Sequence, residues 1–144
     1  MDVPNLNKRV KIMVKTKMVL GITAALIAVL FVAYLALTCP RVLVGFTVSF
    51  TIGADVRREP FEVPFLHEYV KVEVHVQSGN AIWTAKILSG DTTLWSHTAS
   101  QGGQTTYTSE WIRLPSGRYN FTFATAGLGS LTAEVKLTSK GGFW

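Results

Sequence analysis

Tyr69-Val70-Lys71-Val72-Glu73-Val74-His75-Val76-Gln77 alternates apolar and polar side chains without a fault. Successive side chains of a strand point to opposite faces, so this spacing predicts Val70, Val72, Val74 and Val76 in a core and Lys71, Glu73 and His75 on a wet face, as in an antiparallel sheet. The same alternation in Phe46-Thr47-Val48-Ser49-Phe50-Thr51-Ile52 predicts Phe46, Val48, Phe50 and Ile52 on one face. Further strands are expected over 81–88, 92–98, 106–114, 118–125 and 130–138. Turn chemistry divides them at Ser78-Gly79-Asn80, Ser89-Gly90-Asp91, Gln101-Gly102-Gly103-Gln104, Pro115-Ser116-Gly117 and Gly127-Leu128-Gly129. Residues 53–67, with the charged run Asp55 to Glu59 and prolines at 60 and 64, read as loop around a short strand from Phe61 to Val63. Seven or eight short strands with no helical period between them predict an all-β fold, an antiparallel β-sandwich of jelly-roll or immunoglobulin-like kind, over 42–144.

Upstream, Met18 to Thr38 runs twenty-one residues without a charge. At ~1.5 Å per residue such a helix is ~31 Å long, the thickness of a bilayer's hydrocarbon core. A single transmembrane α-helix over 18–38 is therefore expected ahead of the sandwich. Ala36-Leu37-Thr38 before Cys39 is a poor site for signal cleavage, and it departs from the lipoprotein pattern of a small residue next to the cysteine, so the reading is an uncleaved anchor. Leu6, Val10, Met13 and Val14 share a helical stripe opposite Lys8, Lys11 and Lys15, which suits a short interfacial helix in the basic N-terminal segment 1–17.

The net charge of +5 is unevenly spread. Lys8, Arg9, Lys11, Lys15 and Lys17 outweigh Asp2 before the span, Arg41 follows it, and residues 42–144 carry eight basic and eight acidic groups. A nucleic-acid binder needs its cations clustered on the folded surface, so none is expected as a partner. The positive-inside rule places the N-terminus in the cytoplasm and the sandwich outside. Cys39 is the sole cysteine, which leaves no internal disulfide and makes it a candidate for lipid attachment or an intermolecular disulfide at the outer membrane face.

Catalytic chemistry finds no footing. His67, His75 and His97 show no metal-ligand spacing and are expected at the surface, no serine stands in a nucleophile-elbow pattern, and the acids are scattered singly. No cofactor or metal and no enzyme activity are expected. Leu114-Pro115-Ser116-Gly117-Arg118-Tyr119 specifies a turn and resembles the L-P-x-G-x-Y hairpin of many secreted sandwich modules. Tyr119, Phe121 and Phe123 should then face the core, leaving Asn120 of the sequon Asn120-Phe121-Thr122 toward solvent as a candidate glycosylation site.

Three groups remain as candidate contacts. Trp83 is expected in the core, whereas Trp95, Trp111 and nearby Tyr107 could form an aromatic platform for a sugar or a partner protein. Gly21, Ala24, Ala25 and Ala28 form a small-residue face on the span, where another helix can approach closely. Phe143 and Trp144 follow Gly141-Gly142 and either pack back onto their own domain or suit a neighbouring subunit or the lipid interface. The resulting expectation is a single-pass, non-catalytic accessory or structural subunit of a membrane or cell-envelope assembly, in contact with membrane lipid and other subunits. A tethered recognition module is the alternative, and solvent exposure of Trp95 and Trp111 discriminates the two. A pilin-like filament subunit is a lesser third, because Lys17 is followed by Met18 and not by the processing site of such subunits.

Overall fold

The computed structural model describes residues 4–144, with side chains described from Lys8 onward except that of Gln101. Asp2, in the N-terminal charge count, and the Leu6 side chain, on the expected stripe, lie outside the described residues. The chain divides into two units, Met1–Leu37 and Thr38–Trp144.

The first unit is helical. Helix α1, Pro4–Thr38, joins the basic segment and the apolar run in one uninterrupted element of 35 residues. Within its stretch Lys8–Thr38 an 18-residue window has a mean hydropathy of 2.6 and no buried share, a length and composition found in membrane anchors and in signal sequences. Thr16 and Thr23 donate their hydroxyls to the carbonyls of Ile12 and Val19, both at 2.9 Å, so neither presents an unsatisfied polar group on the apolar surface.

The second unit is the β-sandwich, built from β1 (Arg41–Phe50), β2 (Gly53–Val63), β3 (Tyr69–Ser89), β4 (Thr92–Gly102), β5 (Thr105–Thr108), β6 (Ile112–Arg113), β7 (Gly117–Gly127) and β8 (Leu131–Lys140). Every pairing is antiparallel, in the order β1-β8-β3-β7-β2, with β4, β5 and β6 also on β3. The first half of β3 pairs β8 on one side and β5 and β6 on the other, and its second half pairs β7 and β4. One strand of 21 residues thus belongs to both leaves. Between the other ends of the leaves, Arg57 of β2 lies 4.7 Å over the Phe46 ring of β1 and donates to the Thr47 carbonyl at 3.3 Å.

The core follows the alternation. Val70, Val72, Val74 and Val76 are buried from one leaf, Trp83, Ala85 and Ile87 from the other, and Tyr119, Phe121 and Phe123 face inward from β7. The 114–119 turn is locked from both sides, since Leu114 is buried with its N–H on the Glu68 carbonyl at 2.8 Å while the Tyr119 hydroxyl donates to the Pro115 carbonyl at 2.8 Å.

Four expectations need correction. Ser78-Gly79-Asn80 is no turn: β3 runs through it, and the pairing with β8 shifts register between Val76 and Ser78 as the strand bends from one leaf into the other. Gly79 makes the bend with a φ of 127°, where a Cβ would stand 2.1 Å from the Ser130 carbonyl oxygen. Residues 53–60, expected as loop, join the expected short strand Phe61 to Val63 in β2; a strand at the edge of the order tolerates charges and a proline, and Pro60 stands opposite Asn120 of β7. Ile52 is 69 % exposed because β1 ends at Phe50. The expected strand 106–114 is broken into β5 and β6 by Ser109, whose N–H donates to the Val72 carbonyl and whose Oγ accepts from the Val72 N–H, both at 2.9 Å.

Candidate binding face

The aromatic residues of β4 and β5 meet where the two leaves come together. Trp95 and His97 share a face of β4 and Tyr107 comes from β5, so the cluster draws on one strand of each leaf. The His97 and Tyr107 rings are stacked, with centroids 3.8 Å apart and planes within 12°, and Trp95 continues the file at 6.3 Å and 16° from His97. Beneath lies Trp83, 5.5 Å from His97, 5.7 Å from Tyr107 and 5.7 Å from Phe123. Trp95, His97 and Tyr107 are half-buried, whereas Trp83 is fully buried and its Nε1 donates to no group among the described residues. Burial, and next the negative charge of Glu110, raises the Tyr107 hydroxyl above its ordinary pKa of 10.0, so it stays protonated at physiological pH. From Thr92 to Ser109 the chain carries no Asp, Glu, Lys or Arg. On the ring side the hydroxyls are those of Tyr107 and Thr105, which share one face of β5; Thr84 and Thr98, bonded to each other at 2.9 Å, lie on the opposite face of the second leaf, since Ala85, the partner of His97, is buried inward.

Trp111 is elsewhere. It lies in the β5–β6 connection with Lys140 Nζ at 4.5 Å and Lys71 Nζ at 5.0 Å from its ring, where it half-covers the outer side of the first leaf. The structure therefore brings Trp95 and Tyr107 together and leaves Trp111 apart. His97, expected at the surface and not among the candidate binding residues, is half-buried and is the ring that joins them. Its position on the face of Trp95 was legible, but its stacking on Tyr107 depends on how the leaves meet.

The other candidates are each accounted for by position. Asn120 is exposed on β7, at the edge of an open depression of about 520 Å³ lined by Pro60, Phe61, Glu62, Arg118 and Tyr119. Gly21, Ala24, Ala25 and Ala28 are exposed along α1. Cys39 is half-buried just after the helix. Trp144 turns back so that its Nε1 donates to Thr38 Oγ1 at 3.1 Å, with Phe143 edge-on at 6.3 Å. His75 is half-buried and bonded to Thr106 Oγ1 at 2.7 Å. His67 departs from the expected surface position: the turn closed by its N–H on the Pro64 carbonyl at 3.0 Å folds the ring under the loop, where it is 1 % exposed with Nδ1 2.7 Å from Ser139 Oγ. Among the described residues, no group of three or more His, Cys, Asp or Glu could hold a metal ion.

Fold and face together define an antiparallel β-sandwich behind a long apolar helix, with a file of stacked aromatic rings at the junction of its leaves. No protein-family model matches the chain, and no curated protein matches it. Among solved structures it is similar to PirA, at 13 % identity over 64 % of this chain and 90 % of that one with a TM-score of 0.44. It is also similar to TmCBM61 in complex with β-1,4-galactotriose, at 15 % identity over 70 % and 88 % with a TM-score of 0.46. A third is the carbohydrate-binding module CBM6cm-2 from Cellvibrio mixtus lichenase 5A in complex with cellotriose, at 17 % identity over 70 % and 86 % with a TM-score of 0.43. At these identities and scores the likeness carries nothing about ligand or partner.

Proposed function

We propose that the chain is a membrane-tethered, non-catalytic recognition module that binds an uncharged, hydroxyl-rich ligand on the Trp95–His97–Tyr107 face. The observation that carries this reading is the half-exposed stack of near-parallel rings in an 18-residue stretch, Thr92 to Ser109, that holds no charged side chain. Flat rings offer apolar area at low entropic cost, and neighbouring hydroxyls offer hydrogen bonds without selecting a charge. A sugar matches both demands. The full chain in mild detergent should bind a subset of neutral glycans on a glycan array, and Trp95→Ala or Tyr107→Ala should weaken that binding at least ~10-fold, the loss of roughly 1.4 kcal/mol of contact. Trp111→Ala should leave it unchanged. Absence of binding to any neutral glycan, or equal effects of all three substitutions, overturns the reading.

In the same reading α1 is the tether, with its five flanking cations on the cytoplasmic side and the sandwich outside. With Cys39 replaced by serine, a membrane-impermeant thiol label should reach a cysteine at Leu128, which is 93 % exposed, in intact cells, and one at Asn5 only after lysis. The opposite pattern reverses the orientation. A second reading, an accessory subunit of a membrane assembly, is supported by the small-residue face of α1, since a Cβ on Gly21 would meet nothing within 4 Å beyond its chain neighbours and the adjacent backbone of its own helix. A partner protein that travels with the chain through the same detergent purification would favour it.

A further inference from the structure

The aromatic side chains of the sandwich unit are distributed unevenly over its surface. Among its described residues, those exposed are Phe65 at 80 %, Phe143 at 62 % and Trp144 at 48 %. All three stand at one end. The Pro64–His67 turn, the Gly141–Trp144 tail and Thr38 are tied into a single knot there: Gly141 N–H donates to the Thr38 carbonyl at 2.9 Å, Glu68 N–H to the Lys140 carbonyl at 3.0 Å, and Trp144 Nε1 to Thr38 Oγ1 at 3.1 Å. Packing is close enough that a Cβ on Gly141 would stand 2.5 Å from the Thr38 Cβ and 3.0 Å from the Leu66 carbonyl oxygen. Leu66 takes a φ of 69° in the turn that carries Phe65, and buried His67 fastens that turn to Ser139 of β8. The three rings are therefore presented by an anchored scaffold.

Thr38 is also the last residue of the apolar helix. The end of the sandwich that carries the exposed rings is thus the end at which the chain leaves the helix, and it carries the exposed cation of Arg41 as well. Tryptophan and phenylalanine beside a basic residue are the composition of the membrane–water interface, where apolar rings reach the acyl boundary and cations stay with the headgroups. We propose that Phe65, Phe143 and Trp144 form a footing by which the sandwich rests on the lipid surface that its own helix enters. The proposal deepens the tethered reading and rests on α1 spanning the bilayer. A footing of this kind gives the sandwich its own contact with the bilayer beside the helix, and it fixes which end of the sandwich faces away from the membrane.

The test uses the full chain reconstituted in vesicles of phosphatidylcholine and phosphatidylglycerol, with part of the lipid brominated near the headgroup end of its acyl chains. Flotation of carbonate-washed vesicles reads insertion of α1, and bromine quenching of tryptophan emission reads the footing. Trp144→Phe should remove about half or more of the quenching, because a ring at the interface lies within contact range of the bromines. Adding Phe65→Trp to that variant should restore it, at an exposed position that does not test the fold. Adding Leu128→Trp should not, since Leu128 precedes β8, whose ten residues set it ~30 Å from the footing. Inserted protein whose quenching survives Trp144→Phe, or is restored equally by Leu128→Trp and Phe65→Trp, overturns the footing while the tether stands; that outcome would leave the patch to a protein partner. Protein that fails to float overturns the tether and the footing with it.

Discussion

Phe121→Ala lowers the unfolding free energy of the sandwich by about 3–5 kcal/mol, the range for truncating a buried aromatic where the site cannot collapse. Phe121 sits in the middle of β7, opposite Glu59 of β2 and Ile87 of β3, fully buried, with the Phe46 ring 6.0 Å away across the leaves. Its removal opens a void bounded by two leaves whose separation is held by many other side chains. Thr122→Ala is the matched control one residue on, facing outward, and should cost under about 0.5 kcal/mol. Urea unfolding of the sandwich unit, residues 38–144 without the helix, measures both. Similar losses in the two variants would show that β7 faces the other way.

Gly79→Ala destabilises by about 2–5 kcal/mol, from two costs that add at one atom: a φ that L side chains rarely adopt and a steric overlap with backbone. The overlap is with the Ser130 carbonyl oxygen at 2.1 Å and Leu131 Cα at 2.6 Å, neither of which belongs to a side chain that can swing away. The same Ser130 carbonyl accepts from Asn80 N–H at 2.9 Å, so moving it breaks the corner's own hydrogen bond. Gly90 supplies the contrast, with a φ of 58° but open space where its Cβ would be, and Gly90→Ala should cost only about 1 kcal/mol. Equal midpoints for the two variants in the same urea titration would refute the close approach at the corner.

The contrast between these two sites also marks what was legible in the sequence. Alternation is a local property, and it placed Phe121, Trp83 and the valines of 70–76 inward correctly. Gly79 lies in what reads as a turn, because Ser-Gly-Asn is turn chemistry whether the chain reverses or merely bends; only the partner strands, β8 before the bend and β7 after it, decide which. The β2 strand was hidden for a related reason. Its proline and charges argue against a strand with neighbours on both sides, and β2 has one neighbour among the described residues, β7. His67 looked solvated because loop residues usually are, and its burial depends on Ser139, 72 positions away in sequence. Likewise Trp95 and Trp111 could not be separated by period alone, since one is drawn to the junction of the leaves and the other to a pair of lysines on an outer surface.

The position of β8 has a consequence for the order of events in synthesis. It lies between β1 and β3, so neither of these earlier strands reaches its partner on that side until the final strand has been made and, for a tethered domain, moved across the bilayer. The first leaf cannot assemble progressively from its N-terminal end. Its valine-rich strands wait with open edges through the making of every strand between, the condition under which β-rich chains meet wrong partners. Contacts so distant in sequence also close slowly. The nascent domain is therefore at its most vulnerable when nearly complete, and β8 acts as the closing stroke that ends that exposure.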